Sequence, residues 1–152
     1  MLKLVSGGQT GVDMAALNFA IRHGMPYGGW VPRGRTNEAG RIPQRYQGLQ
    51  ETASADVAHR TRMNVRTSDA TVIFTDGSAS GGTDATADFA RDLGKPFRII
   101  DTRGGVAACA AELDQWMRQT PISVLNIAGP RASEAPGLDR LVTDILERVL
   151  LD

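Results

Sequence analysis

The sequence predicts a three-layer α/β domain with a mostly parallel sheet of about five strands. Short β-branched or apolar runs alternate with longer alanine-rich stretches, and no linker or low-complexity tract interrupts the 152 residues. Strands that alternate with helices are joined by right-handed crossovers, which make the sheet parallel and cover both of its faces. A chain of this length is expected to form a single domain, over residues 1–152.

The first half of the chain is predicted to contain, in order, a strand (2–6), a helix (13–23), a short strand (28–31), one long irregular loop (32–50) and a helix from Thr52 or Ser54 to about Arg66. Gly24 marks the end of the first helix, because glycine is favoured just after a helix C-terminus. The loop carries several glycines and arginines, and loops of this length in compact domains are usually functional.

The second half is predicted to contain a strand (70–75), a helix (84–93), a strand (97–101), a helix (107–118), a strand (123–128) and an amphipathic helix (137–150). The strand over 70–75 is the clearest, because it is short, β-branched and bounded by turn residues. Gly94 and Pro96 end the helix that precedes the next strand. The whole pattern is typical of a Rossmann-like sheet.

Composition excludes several classes of protein. Seventeen basic residues balance seventeen acidic ones, which is unlike a general nucleic-acid binder. No apolar run is long enough for a membrane span or a secretory signal. The single cysteine, Cys109, can form neither an internal disulfide nor a thiolate metal cage, and no metal ligands are expected from the protein. We therefore expect a soluble, cytoplasmic domain.

Three turns follow predicted strands and are rich in glycine, hydroxyl or arginine residues. They span residues 6–13 (SGGQTGVD), 78–84 (SASGGTD) and 128–137 (AGPRASEAPG). Ligands of parallel sheets bind at the carboxyl ends of the strands, where all three turns are expected to lie. Glycines let the backbone approach a ligand, Thr10 is expected to cap the first helix, and Arg131 supplies donors for oxyanions. The turns predict an anionic small-molecule ligand, and neither glycine pair fits a P-loop or a dinucleotide fingerprint.

These segments resemble the molybdenum cofactor carrier proteins of the SLOG superfamily. The resemblance lies in 6–13, 28–35 (GGWVPRGR), 60–70 (RTRMNVRTSDA), 80–83 (SGGT), 94–96 (GKP) and 128–131 (AGPR), which run in order through nearly the whole chain. It implies a protein that holds molybdenum cofactor or molybdate, protects or delivers it to molybdoenzymes, and assembles as a dimer or tetramer. The binding residues it suggests, together with the turns, are Gly7, Gly8, Gln9, Thr10, Trp30, Arg33, Arg35, Asn64, Ser80, Gly81, Gly82, Thr83, Arg131 and Ser133.

Two other functions remain open. The first is an enzyme that cleaves the N-glycosidic bond of nucleoside monophosphates, with Asp13 or Asp76 as the acid–base group. Hydrolases of the superfamily carry a glutamate three residues after the threonine of the second turn, whereas this chain has Thr86 there. That difference favours binding without turnover. The second is a nucleotide-sensing or nucleic-acid-associated domain, which the balanced charge disfavours.

Overall fold

The computed structural model describes residues 1–77 and 81–151 of the chain. In chain order they form β1 (Lys3–Val5), α1 (Val12–Arg22), β2 (Tyr27–Val31), β3 (Thr36–Asn37), β4 (Gly40–Arg41), β5 (Leu49–Glu51), α2 (Val57–Thr67), β6 (Ala70–Thr75), α3 (Gly81–Asp92), β7 (Phe97–Asp101), α4 (Val106–Gln119), β8 (Val124–Ala128) and α5 (Leu138–Leu150). Across these residues, six strands form one sheet in the order β5-β2-β1-β8-β6-β7, and all neighbouring strands are parallel. The predicted α/β class is confirmed, with six strands rather than about five.

The helices form two layers around this sheet. On one face α1 packs against α5, and α5 packs against α4. On the other face α2 packs against α3 and the end of β2. The connection from β1 runs toward β2 at one edge, whereas the connection from β6 runs toward β7 at the other. Because right-handed crossovers in opposite directions lie on opposite faces, a crevice opens between β1 and β6, above the end of β8.

Alternation along β8 divides its side chains between the core and this crevice. Leu125 and Ile127 are fully buried in the main core, between the sheet and the layer of α1, α4 and α5. Each such side chain stabilises the fold by about 1.5–3 kcal/mol relative to an exposed position. Asn126 and Ala128 point to the opposite face, because successive residues of a strand alternate. The strand therefore supports the core with one face and lines a polar site with the other.

The prediction of one irregular loop over 32–50 is wrong. Strands β3 and β4 pair as a small antiparallel hairpin, and β5 joins the sheet beside β2. The sequence Leu-Gln-Glu of β5 has no β-branched residue, so only its pairing with β2 and the burial of Leu49 identify it as a strand. Leu49 packs in a second, smaller core with Leu17, Val31, Ile42 and Tyr46.

Three predicted helix starts also need correction. Helix α2 begins after Asp56, whose carboxylate accepts a hydrogen bond from the Ala58 N–H, so neither Thr52 nor Ser54 caps it. Helix α1 has no side-chain cap, because Gly11 occupies its N-cap position, and the Thr10 hydroxyl donates to Glu38 instead. Helix α3 begins at Gly81 rather than at about residue 84. In the part of the chain that the structure describes, no helix is long and apolar enough to cross a membrane.

Candidate functional site

A cavity of about 290 Å³ opens at the carboxyl edge of the sheet, in the crevice above β8. It lies at the point where the strand connections diverge, which is the usual ligand position in open α/β sheets. Its lining comes from the β1–α1 loop, the first turn of α1, helix α2, helix α3, and the end of β8 with the loop that follows. The lining residues are Gly7, Gln9, Asp13, Val57, Arg60, Thr61, Asn64, Thr86, Asn126, Ala128, Gly129, Pro130, Arg131 and Glu134.

Asn64 fixes helix α2 against the sheet. Strand β1 ends at Val5, and the Ser6 N–H makes the last bond to β2, at Gly28 O. Trp30 lies two residues after Gly28 on β2, so its N–H and C=O point to the same side of the strand as those of Gly28. Because β1 has already ended, no strand lies beside them. Asn64 takes that place: its Oδ1 accepts from Trp30 N at 2.7 Å, and its Nδ2 donates to Trp30 O at 3.0 Å. These two bonds set the position of α2 over the cavity.

Arg60 lies one helical turn before Asn64 and therefore on the same face of α2. The residue is only 9% exposed. One terminal nitrogen, Nη1, donates to Gly7 O, and Nε donates to Thr61 Oγ1 at 3.1 Å. Among residues 1–77 and 81–151, Nη2 has no hydrogen-bond partner, so this donor is available to a ligand in the cavity. A guanidinium is well suited to oxyanions because its donors form a planar fork.

Gly7 leaves room for both charged groups of the inner cavity. A methyl group at this position would lie 2.5 Å from Arg60 Nη1 and 3.0 Å from Asp13 Oδ2. Any larger residue would have to displace the guanidinium or the carboxylate. The absence of a side chain at Gly7 is therefore a requirement of the site, whereas its backbone conformation is one that other residues can adopt.

Asp13 lies in the first turn of α1 and is 6% exposed. Burial raises the pKa of its carboxyl group to about 6, although the Arg60 charge and the Gln9 and Gly7 backbone hydrogen bonds oppose the increase. Gln9 N donates to Asp13 Oδ2 at 3.2 Å. A carboxyl group with this pKa exchanges its proton near neutral pH, so it can adjust the charge of the cavity or transfer a proton.

The base of the cavity is polar but uncharged. Asn126 comes from β8, and its Nδ2 donates to Thr71 Oγ1 of the neighbouring strand β6 at 3.3 Å. Both side chains are almost completely buried. Thr86 reaches the lining from α3. Amide and hydroxyl groups here can bond a ligand without adding charge.

The outer rim joins two loops. A methyl group at Gly11, whose φ is +82°, would lie 2.8 Å from Pro130 O and 2.9 Å from Ala132 N. This glycine thus allows the β1–α1 loop to contact the β8–α5 loop. Ala132 N donates to Thr10 Oγ1 at 3.1 Å across the contact. The Arg131 guanidinium lies 3.3 Å from the Glu134 carboxylate at the mouth of the cavity.

The structure brings together part of the predicted site. Gly7, Gln9, Asn64 and Arg131 line the cavity, as does Asp13. Thr10 and Ser133 lie on the rim, where both bond the Glu38 carboxylate. The Gly8 carbonyl accepts a hydrogen bond from Asn37. A methyl group added at Gly8 would meet Val31 and Ile42, and Gly8 is not among the residues that line the cavity.

Trp30, Arg33 and Arg35 are not among the residues that line this cavity. Trp30 lies on β2 beyond Asn64, and Arg33 is exposed. Arg35 is buried in the loop, where its Nη2 donates to Pro43 O at 3.1 Å.

On the β6 side, Gly81, Gly82 and Thr83 form the first turn of α3, and Ser80 lies outside the described residues. Asp76 lies at the end of β6, near Arg103.

Sequence reasoning did not select Arg60, Thr86, Asn126 or Glu38 as site residues. A signal existed for Arg60, because it is four residues before Asn64 on a predicted helix and must share its face. Asn126 could have been found as the single amide in an otherwise apolar strand. Glu38 gave no signal, because its partners are distant in the sequence. Within the described ranges, no three His, Cys, Asp or Glu side chains cluster as a metal site.

The fold is a Rossmann-like domain, and this cavity lies at the switch point of its parallel sheet. Residues 4–150 match the family described as the circularly permutated YpsA SLOG family, and the chain belongs to it. The chain is also similar to a crystal structure from Syntrophus aciditrophicus SB named "Putative molybdenum carrier protein". The two share 45% sequence identity with a TM-score of 0.95, over 99% of this chain and 95% of the other. No curated protein matches the chain.

Proposed function

We propose that this protein binds molybdenum cofactor, or the molybdate that the cofactor carries, and holds it without turnover. The observation that carries the proposal is the buried Arg60 guanidinium, which lines the cavity beside the neutral groups of Asn126 and Thr86 and whose Nη2 has no hydrogen-bond partner among the described residues. Arg131 adds a second positive charge at the mouth. The similar protein named "Putative molybdenum carrier protein", which has the same fold and is covered over 95% of its chain, supports the choice of ligand.

The size of the cavity suggests which part of the ligand it encloses. Pockets for small organic molecules usually measure about 300–1,000 Å³, and this one is at the lower end. We infer that it encloses an oxyanionic end of the ligand, whereas a pterin ring would extend past the rim. Asp13 supports anion binding when it is protonated, because the lining then carries two arginine charges against the single Glu134 carboxylate.

Native mass spectrometry under anaerobic conditions tests the carrier function. Wild-type protein is incubated with released molybdenum cofactor and, separately, with adenosine monophosphate. We expect the cofactor to be retained at fixed stoichiometry without a nucleotide adduct. The Arg60→Met variant should lose the cofactor, whereas Arg62→Met, an exposed arginine on the same helix, should retain it. Failure of the wild-type protein to retain cofactor, or its conversion to a product, would contradict the proposal.

One observation favours a second function, the hydrolysis of nucleoside monophosphates. Asp13 lines the cavity with a pKa of about 6, which suits a general acid or base at neutral pH. Water would add to the anomeric carbon as its bond to the base nitrogen breaks, and Asp13 would transfer the proton. Chromatographic detection of released base, abolished in Asp13→Asn, would establish this reaction and exclude a purely carrying role.

A further inference from the structure

The tip of the β3–β4 hairpin inserts a carboxylate between the two loops of the rim. Glu38 Oε2 accepts from the Thr10 hydroxyl and from Ser133 N at 3.1 Å, and Oε1 accepts from the Ser133 hydroxyl. Arg131 Nε lies 3.8 Å from Oε1. These hydrogen bonds and the nearby arginine hold the pKa of Glu38 below its usual range, chiefly through Ser133 and Thr10.

The donors around Glu38 belong to loops other than the hairpin that carries it. They come from the β1–α1 and β8–α5 loops, and the two loops are already joined by the Ala132 N–H bond to Thr10 Oγ1. Hydroxyl, backbone N–H and guanidinium donors are the groups that bind phosphate and similar anions, and they bond a carboxylate in the same way. Glu38 therefore satisfies donors that an external anion can also satisfy.

We propose that Thr10, Ser133 and Arg131 form a second oxyanion subsite, which Glu38 fills in the absence of ligand and which a phosphate- or molybdate-type group occupies by displacing the Glu38 carboxylate. The inference rests on the proposed function in one respect, namely that the ligand is oxyanionic. Arg131 lines the cavity as well as this subsite, so the two are contiguous. A ligand with two anionic ends can span them.

The hairpin does not depend on the Glu38 side chain alone. Asn37 Nδ2 donates to Gly8 O at 2.9 Å, and the Glu38 backbone N–H donates to Gln9 Oε1 at 2.9 Å. Both bonds survive truncation of the Glu38 side chain. Replacement of this residue by alanine is therefore expected to empty the subsite while the hairpin stays attached to the β1–α1 loop.

Crystals of wild-type protein and of Glu38→Ala, soaked in the same concentration of tungstate, test the proposal through the anomalous signal of tungsten. We expect tungstate between Thr10 and Ser133 in the variant, and lower occupancy there in the wild type. Ser133→Ala in the Glu38→Ala background should remove it. Calorimetric titration with molybdate should show tighter binding to Glu38→Ala, by about tenfold if the wild-type subsite is open in one molecule in ten.

The control is Glu51→Ala. Glu51 accepts a hydrogen bond from Gly34 N at 2.7 Å in the same segment, away from the cavity, so its removal should leave tungstate occupancy and molybdate affinity as in the wild type. The position of the ion separates this inference from the proposed function. Tungstate beside Arg60 alone would overturn the second subsite and support the carrier cavity. Tungstate at Thr10 and Ser133 alone would support the second subsite and overturn the carrier cavity. Tungstate at neither position would overturn the subsite and the cavity alike.

Discussion

The inner cavity and the outer rim each hold a carboxylate beside an arginine, yet the two environments shift the carboxyl pKa in opposite directions. Asp13 is buried with few donors, and the loss of hydration raises its pKa to about 6 despite the nearby Arg60 charge. Glu38 is solvated and accepts several hydrogen bonds, which lower its pKa. The comparison teaches that desolvation dominates inside the cavity, whereas hydrogen bonding dominates at its rim.

The largest expected effect comes from removing the inner cation. Arg60→Met deletes the bond to Gly7 O and leaves the Asp13 carboxylate without a compensating charge. At pH 8 we expect a loss of about 3 kcal/mol in the free energy of unfolding, because a buried polar group left without its partner costs about 1–3 kcal/mol and charged groups cost more. The loss should be smaller at pH 5, where Asp13 takes up a proton. Urea denaturation at both pH values measures it.

The matched control for this experiment is Arg62→Met, because Arg62 lies on the same helix and is exposed. Its substitution should change stability little at either pH. If both variants lost the same free energy of unfolding, the loss would come from removing any arginine of α2. The charge of Arg60 in the inner cavity would then have no particular role in stability.

The next effect is a gain of stability in Asp13→Asn at high pH. The folded pKa of about 6 lies above the value of 3.8 for an unperturbed aspartate, so the stabilisation that comes from protonating Asp13 is complete below about pH 4 and is lost as the pH rises through 6. The asparagine variant carries no titrating carboxyl group at this position, so its stability does not fall for this reason as the pH rises. We expect the difference between variant and wild type to shift by about 3 kcal/mol in favour of asparagine from pH 4 to pH 8. Denaturant titrations across this range provide the measurement.

Asp69→Asn is a control in which the stability difference between variant and wild type should change with pH in the opposite direction. The Ser123 and Val124 backbone N–H groups lower the pKa of Asp69, so its stabilisation is present above the unfolded pKa and disappears as the pH falls. This variant should therefore lose stability relative to wild type as the pH rises. If the stability difference between Asp13→Asn and wild type did not change with pH, the Asp13 carboxylate would be better solvated than its burial implies.

A smaller effect is expected from Gly7→Ala, which crowds the inner cavity without changing its charge. The new methyl group must displace Arg60 Nη1 from 2.5 Å, and such overpacking usually costs about 1–3 kcal/mol. Molybdate affinity should fall too, because the displaced guanidinium no longer points into the cavity. Thermal unfolding and calorimetric titration measure the two effects.

Gly104→Ala is the control for this substitution, since no atom lies within 4 Å of the added methyl group and φ there is not positive. It should leave both quantities nearly unchanged. Unaltered molybdate binding in Gly7→Ala would place the anion away from Arg60 and would remove the inner cavity from the site.

The main elements could be predicted because their signals are local. The strand over 70–75 and the strand over 97–101 are found at the predicted residues, and the helices differ by only a few positions. Strand β5 could not be predicted, because its three residues owe their conformation to pairing with β2. Thr10 was expected to cap α1, yet its hydroxyl donates a hydrogen bond to Glu38, a partner that no local pattern identifies.

The sequence by itself determined the order of strands and helices, the family, and the edge of the sheet at which polar turns meet, since each depends on short-range periodicity or on contiguous motifs. Only the tertiary structure decided which of those polar groups face a common space. Arg60 meets Gly7, and Glu38 meets Ser133, across long stretches of chain. A hydrogen bond depends on the position and direction of both partners, and packing of the helices and loops on the sheet fixes these.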